Sequence, residues 1–186
     1  MEKTVKVYEM GKEPREREYW LNRPVTERFQ TLEQLRQNFY GNASEGFQRV
    51  IESLNRNKVR YLIIGGYAVV YHGHVRSTND IDIWVDIREG NIKRLMTALD
   101  EFGFSVLKPK QADFAPNQII QLGYPPNRID IITSPAGVSF DECYASREQV
   151  DLDMATVNFI NLDNLLKSKR AAGRTRDLAD IDELTE

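Results

Sequence analysis

Hydrophobic positions along this chain change their spacing several times, and each change marks an element. Before that patterning, residues 1–17 are charged and aperiodic apart from a Val5–Val7 alternation, which fits a loose tail or an added edge strand. From Thr26 onward, Phe29, Leu32, Leu35 and Phe39 recur every three or four residues, predicting a helix with one apolar face and Thr26 as its cap. Phe47, Val50, Ile51 and Leu54 repeat the pattern in a second helix that Ser44 is suited to cap. Val59 to Ile64, with an apolar run over Tyr61–Ile64, is read as a first core strand. It ends at Gly65 and Gly66, where a missing Cβ lets the backbone turn sharply and another molecule approach, and a short helix follows through Tyr71. The run Asp80-Ile81-Asp82-Ile83 then alternates. A strand's period of two sends Ile81 and Ile83 to the core and both carboxylates to the other face.

Ile92, Leu95, Met96 and Leu99 predict a long helix over Glu89–Phe102, closed by Gly103. Strands are expected at Phe104–Leu107 and Asn117–Gly123, with a polar loop between them. Tyr124-Pro125-Pro126-Asn127 is expected to turn tightly into a further strand, Asn127–Thr133, which carries Asp130. A helical piece near Glu142–Arg147, a strand at Thr156–Ile160 and two closing helices complete the order. The first closing helix starts near Asn161–Asp163, with Leu165, Leu166, Lys169 and Ala172 on or near one face, and Gly173 separates it from Arg174–Leu184. This order predicts an α+β (α/β) domain with a mixed sheet and helices mainly on one face. Residues 1–57 form a tail and helical leader packing on a core of residues 58–186.

A chain of 186 residues with 41% hydrophobic content suffices for one domain and a proper core. Lys and Arg number 25 against 28 Asp and Glu, a net charge of -3, so nothing in the overall balance demands nucleic acid or an anionic membrane. The single Cys143 excludes an intrachain disulfide, and no apolar run approaches the ~20 residues that span a bilayer. With no apolar signal segment at the start, the expected location is the cytoplasm, without membrane attachment.

Two carboxylates side by side on one strand face repel, and a divalent cation between them relieves the repulsion. Asp130, flanked by Ile129 and Ile131, repeats the design. If its strand lies beside the first, three carboxylates converge, and such a set can hold two magnesium ions about 3.5 to 4 Å apart for in-line displacement at phosphorus. The competing reading is an edge strand with a solvated acidic face.

The succession of Gly65-Gly66-Tyr67-Ala68, His72-Gly73, Arg76-Ser77-Thr78-Asn79-Asp80-Ile81-Asp82 and the later Asp130 resembles the polymerase-beta-type nucleotidyltransferase superfamily. The likeness is closer to its small minimal and toxin-type, abortive-infection-like members, and it covers roughly Val59–Asp182. It implies a nucleotidyltransferase fold for residues 58–186. It also implies Asp80, Asp82 and Asp130 as catalytic metal ligands, two Mg²⁺ (or Mn²⁺) ions per site, and an NTP substrate whose phosphates meet the Gly65-Gly66 turn. The implied reaction passes NMP to a hydroxyl of an RNA or tRNA end, a protein Tyr, Ser or Thr, or a small molecule, releasing pyrophosphate. A toxin role would imply a cognate antitoxin. Many members have Ser at Gly66; its loss removes a hydroxyl contact to phosphate and leaves backbone N–H groups to serve. A shared Leu-Leu-x-x-Lys-x-x-Ala-x-Arg-x-x-Asp-Leu pattern matches Leu165, Leu166, Lys169, Ala172, Arg174, Asp177 and Leu178. By resemblance it puts Lys169 on the triphosphate. Arg76 is a further phosphate candidate because its planar fork suits phosphate oxygens, and Thr78 supports the same loop.

His72 and His74 lack the further Cys or His needed for a transition-metal site and are read as shaping the turn. Cys143 has no evident base and is read as a small buried hydrophobe. Tyr67 and Tyr71 could stack on a base or pack in the core. A non-catalytic nucleotide- or partner-binding module is the alternative to an enzyme, and three clustered negative charges argue against it.

Overall fold

The computed structural model describes residues 16–40, 45–104, 111–124, 128–152 and 155–185. The expected Val5–Val7 strand, the Ser44 cap, most of the Phe104–Leu107 strand and the Pro125–Asn127 turn lie outside these residues. Three helices lead: α1 (Glu16–Leu21), α2 (Val25–Tyr40) and α3 (Glu45–Arg56). The core unit follows with β1 (Tyr61–Ile63), α4 (Gly65–Tyr71), β2 (Asp80–Val85) and α5 (Glu89–Leu99). Then come β3 (Ile119–Leu122), β4 (Arg128–Ile132), α6 (Phe140–Ala145), β5 (Glu148–Leu152), β6 (Ala155–Phe159), α7 (Leu162–Ala172) and α8 (Thr175–Thr185).

The six strands form one mixed sheet in the order β3-β4-β2-β1-β6-β5. β1 pairs antiparallel with β2, while β2 and β4 run parallel. Apolar side chains of the central strands, Ile63, Ile81, Ile83, Ile129 and Ile131, are almost fully buried. Against them pack Val50, Ile51 and Leu54 of α3 and Ile92, Leu95 and Leu99 of α5, the faces that the helical spacing selects. The leader docks on α4: Leu32 is fully buried, Phe29 stacks at 6.0 Å from Tyr67, and the Arg36 guanidinium bonds the Tyr67 hydroxyl.

Some boundaries differ from expectation for local reasons. α2 starts one residue before Thr26, directly after Pro24, so Thr26 lies inside the helix. α1 falls where no apolar repeat marked a helix. β5 was missed because only Val150 and Leu152 of its five residues are apolar; edge pairing with β6 makes it a strand. α5 ends at Leu99 and widens into an irregular π-type turn over Asp100–Phe104, with Gly103 at φ 107°. The caps of α7 follow the sequence closely: Asn161 Oδ1 accepts from Asn164 N at 3.1 Å, and Gly173 closes the helix at φ 64°. No helix among the described residues is long and apolar enough to cross a membrane.

Candidate active site

Parallel pairing of β2 with β4 sets Asp80 beside Arg128 and Asp82 beside Asp130. Residues two apart on a strand share a face, so these four side chains form a square on the face away from Ile81, Ile83, Ile129 and Ile131. Trp84 continues that face beyond Asp82. It is covered by Phe140 of α6, with ring centroids 5.2 Å apart, and its indole N–H donates to the Thr133 carbonyl at 3.2 Å. α6 therefore closes one end of the face and leaves the acidic end uncovered by it.

Asp82 carries a strongly perturbed charge. Burial, then repulsion from Asp80 and Asp130, pushes its pKa up to about 6, against the opposing pull of the Gly66 N–H and Lys169. The glycine turn is built around this carboxylate: Gly65 has φ 59°, and a Cβ there would fall within the Asp82 side chain. Ile64 N also donates to the Asp82 carbonyl at 3.1 Å, locking the turn to β2. The Gly66 amide is thus aimed at Asp82.

Gly66 answers a second constraint. A Cβ on it would come within 2.5 Å of Thr78 Oγ1 and 2.7 Å of Thr78 Cβ. Thr78 is buried, and its hydroxyl donates to Asp80 Oδ1 at 3.1 Å. A hydroxyl therefore does stand against the turn, supplied from the loop before β2 and turned to a carboxylate. Gly66→Ser should lower stability by about 1–3 kcal/mol through overpacking. Adding Thr78→Gly, which removes the Cβ as well as Oγ1, should recover more of the loss than adding Thr78→Ala, which leaves the Cβ in place, as thermal or urea denaturation of the double-mutant cycles would register.

The fourth corner went unnoticed in the sequence. Arg128 Nε donates to Asp130 Oδ1 at 2.9 Å, and its Nη2 reaches both Asp130 Oδ2, at 3.2 Å, and Asp80. Partial desolvation works against the guanidinium charge, but Asp80 and Asp130 outweigh it and raise the Arg128 pKa. The available signal was its place two residues before Asp130, which fixes the shared face. Gln121 was missed too; it lies opposite Asp130 on β3 and donates through Nε2 to Asp130 Oδ2 at 3.2 Å. Beside it, among the described residues, a cleft of about 570 Å³ runs along β3 between Gln118–Leu122 and Ala112, Asp113 and Ala115.

Lys169 and Arg76 take other partners. Lys169 is buried, with Nζ 2.9 Å from Asp177 Oδ1 and 2.7 Å from Asp180 Oδ2. Arg76 grips Asp180 through Nε at 2.6 Å and Nη2 at 2.8 Å. Arg174 Nε holds the other Asp177 oxygen at 2.7 Å, and its side chain is 77% exposed. Burial alone would raise the Asp177 and Asp180 pKa values, but these cations overcome it and hold both below the ordinary value. The network ties α7 and α8 to the loop before β2. Its positive charge reaches the carboxylate square: Lys169 favours Asp82 ionisation, and the Arg174 pKa, raised chiefly by its hydrogen bond to Asp177, is raised a little further by Asp82.

The remaining candidates are structural. His72 Nε2 lies 2.9 Å from the Ile160 carbonyl and burial lowers its pKa, so the neutral ring donates there. His74 Nδ1 faces Glu183 at 3.7 Å. Burial pushes the Cys143 thiol up to about 11, far from a nucleophile's range. Tyr67 stacks at 4.8 Å on Phe47 and Tyr71 at 4.4 Å on Phe159, so both pack rather than present a face to a base.

Three aspartates with only oxygen donors suit a hard divalent cation in kind. As they stand, no three His, Cys, Asp or Glu side chains among the described residues are gathered closely enough to hold a metal ion. Asp80 and Asp130 are drawn onto Arg128 instead.

A family model described as "Nucleotidyltransferase of unknown function (DUF6036)" matches residues 45–185, from α3 to the end of α8. No curated protein sequence gives a significant match.

Proposed function

The chain belongs to this nucleotidyltransferase family of unknown function, and from that premise we propose that it transfers a nucleoside monophosphate from an NTP to a hydroxyl acceptor with Mg²⁺ or Mn²⁺. The observation that carries the reading is the register pairing of Asp82 with Asp130 on parallel strands, with Asp80 two residues away on the same face. Asp80, Asp82 and Asp130 would hold the ions. When bound, divalent ions supply charge neutralisation for the triphosphate and the leaving pyrophosphate.

The chain's own groups supply the rest. Asp130 accepts the proton as the acceptor oxygen attacks the α-phosphorus. The new P–O bond forms as the bond to pyrophosphate breaks, and pyrophosphate leaves with its electron pair. Gly65 lets the nucleotide approach Asp82 without a side chain between them. Thr78 fixes the Asp80 carboxylate, while Lys169 acts from behind to favour ionised Asp82 and Arg76 holds Asp180 beside it. Arg174, exposed beside them, is the better placed of these cations to meet phosphate oxygens. The cleft along β3, joined to Asp130 by Gln121, is the proposed approach for the acceptor, whether an RNA end, a protein side chain or a small molecule. A toxin role with a cognate antitoxin remains part of the proposal, as does a cytoplasmic setting.

Incubation of the purified chain with each α-labelled NTP, Mg²⁺ and a cell lysate tests the reading. Label should pass to one acceptor class, with preference for one base and matching pyrophosphate release. The ion pairs of Arg128 favour a second reading, in which the fold holds a nucleotide without turnover. Saturable NTP binding with no label transfer and no pyrophosphate from any NTP would select that reading over the first.

A further inference from the structure

We propose that Arg128 is a built-in counter-ion which holds the place of a divalent cation among the aspartates and must let go when metal loads. The inference rests on the metal-dependent reading above and says how the same site is governed.

The square formed by β2 and β4 has three acidic corners and one basic corner. The guanidinium spans the two edges that meet at its corner, to the facing Asp80 and to Asp130 two residues along its own strand. Both are carboxylates that the metal reading requires as ligands. A carboxylate that accepts from a guanidinium has its lone pairs directed at nitrogen, and a second cation placed against it meets the charge of the first. Arg128 and a metal ion therefore draw on the same oxygens. The arrangement also accounts for a feature of the site: the aspartates stand ungathered.

The guanidinium has room to leave. Arg128 is a quarter exposed, at 26% of its side-chain surface, and sits at the first residue of β4. Its backbone is held by strand pairing, so release needs only side-chain rotation. A freed guanidinium in that position still faces the site and is a ready partner for phosphate oxygens, which a metal–nucleotide complex would bring with it.

Titration calorimetry with MnCl₂ on the full chain, wild type against Arg128→Gln, decides the matter. Competition predicts Mn²⁺ binding at least about fivefold tighter in Arg128→Gln, the lower end of ordinary coupling between sites. Arg128→Lys, a cation with a shorter reach and no planar fork, should fall between the two. Unchanged or weaker binding by Arg128→Gln, where the wild type binds, overturns the proposal and makes Arg128 a brace for the ligands. Absence of Mn²⁺ binding by both chains overturns it together with the metal-dependent reading. If Arg128→Gln fails to fold, the wild type alone answers. With ¹⁵N-labelled arginine, the Arg128 Nε–H should be protected from exchange without metal and lose that protection as Mg²⁺ is added; protection unaffected by saturating Mg²⁺ overturns the proposal.

Discussion

Asp82→Asn is expected to cut pyrophosphate release from NTP by about a thousandfold, the scale of losing one preorganised charged group in an active site, without weakening the metal-free protein. The two effects have one origin. Asp82 is held in the tightest part of the square, between Asp80, Asp130 and the Gly65 turn, and its pKa stands at about 6 against an ordinary 3.8. A raised carboxylate pKa means that the folded chain binds more protons than the unfolded chain between about pH 4 and 6, so stability falls as pH rises through that window. Above it the penalty is complete. Taken at face value the shift corresponds to ~3 kcal/mol, and solvent screening of a half-buried group reduces this to about 1–2 kcal/mol.

The Asn side chain keeps an oxygen for the Gly66 N–H and removes the charge. Its metal-free melting temperature should therefore match or exceed the wild type at pH 7, and the difference should vanish near pH 4. Equal activity in Asp82→Asn and wild type would remove Asp82 from the chemistry. A melting temperature that drops at pH 7 would mean that the carboxylate is satisfied in the fold, contrary to the repulsion described here.

What could be read from the sequence followed from how local the causes were. The alternation Asp80-Ile81-Asp82-Ile83 fixes two carboxylates on one face regardless of what surrounds them, and Asp130 between two isoleucines fixes a third. That the two strands are neighbours, in parallel and in register, is a long-range fact. Only the shared motif order hinted at it. The Gly66 position shows the same limit from the other side. The sequence reports a missing serine hydroxyl, whereas the fold brings Thr78 into the space that a Cβ would need. Arg128 shares the face of Asp130 by period alone, but its second partner, Asp80, stands on another strand, and that pairing is not written locally. β5 was not legible at all, since edge pairing and not its own composition makes it a strand.

Lys169 is where sequence and structure lead to different experiments, and Lys169→Ala carries the largest expected effect on stability. Its position on an apolar helix face implies a negative partner, and the family pattern suggests the triphosphate. In the fold two acidic partners are already present: Asp177 and Asp180 take two of the three ammonium hydrogens inside the protein. Deleting one member of a buried ionic cluster leaves charge uncompensated in a poorly solvated place, a loss of about 3–5 kcal/mol. Arg76 and Arg174 still hold the aspartates from their outer sides, so the lower end of that range is expected.

The two acids have lowered pKa values, and their stabilising contribution is present above the ordinary carboxylate range and disappears as pH falls through those lowered values. Urea denaturation at pH 7 should accordingly reveal a large deficit in Lys169→Ala that narrows on acidification, as protonation relieves the uncompensated carboxylates. A lysine whose whole role is to grip phosphate would behave in the opposite way. Its removal would leave the urea midpoint unchanged at both pH values and raise the Kd for NTP, and that pattern would return Lys169 to the nucleotide.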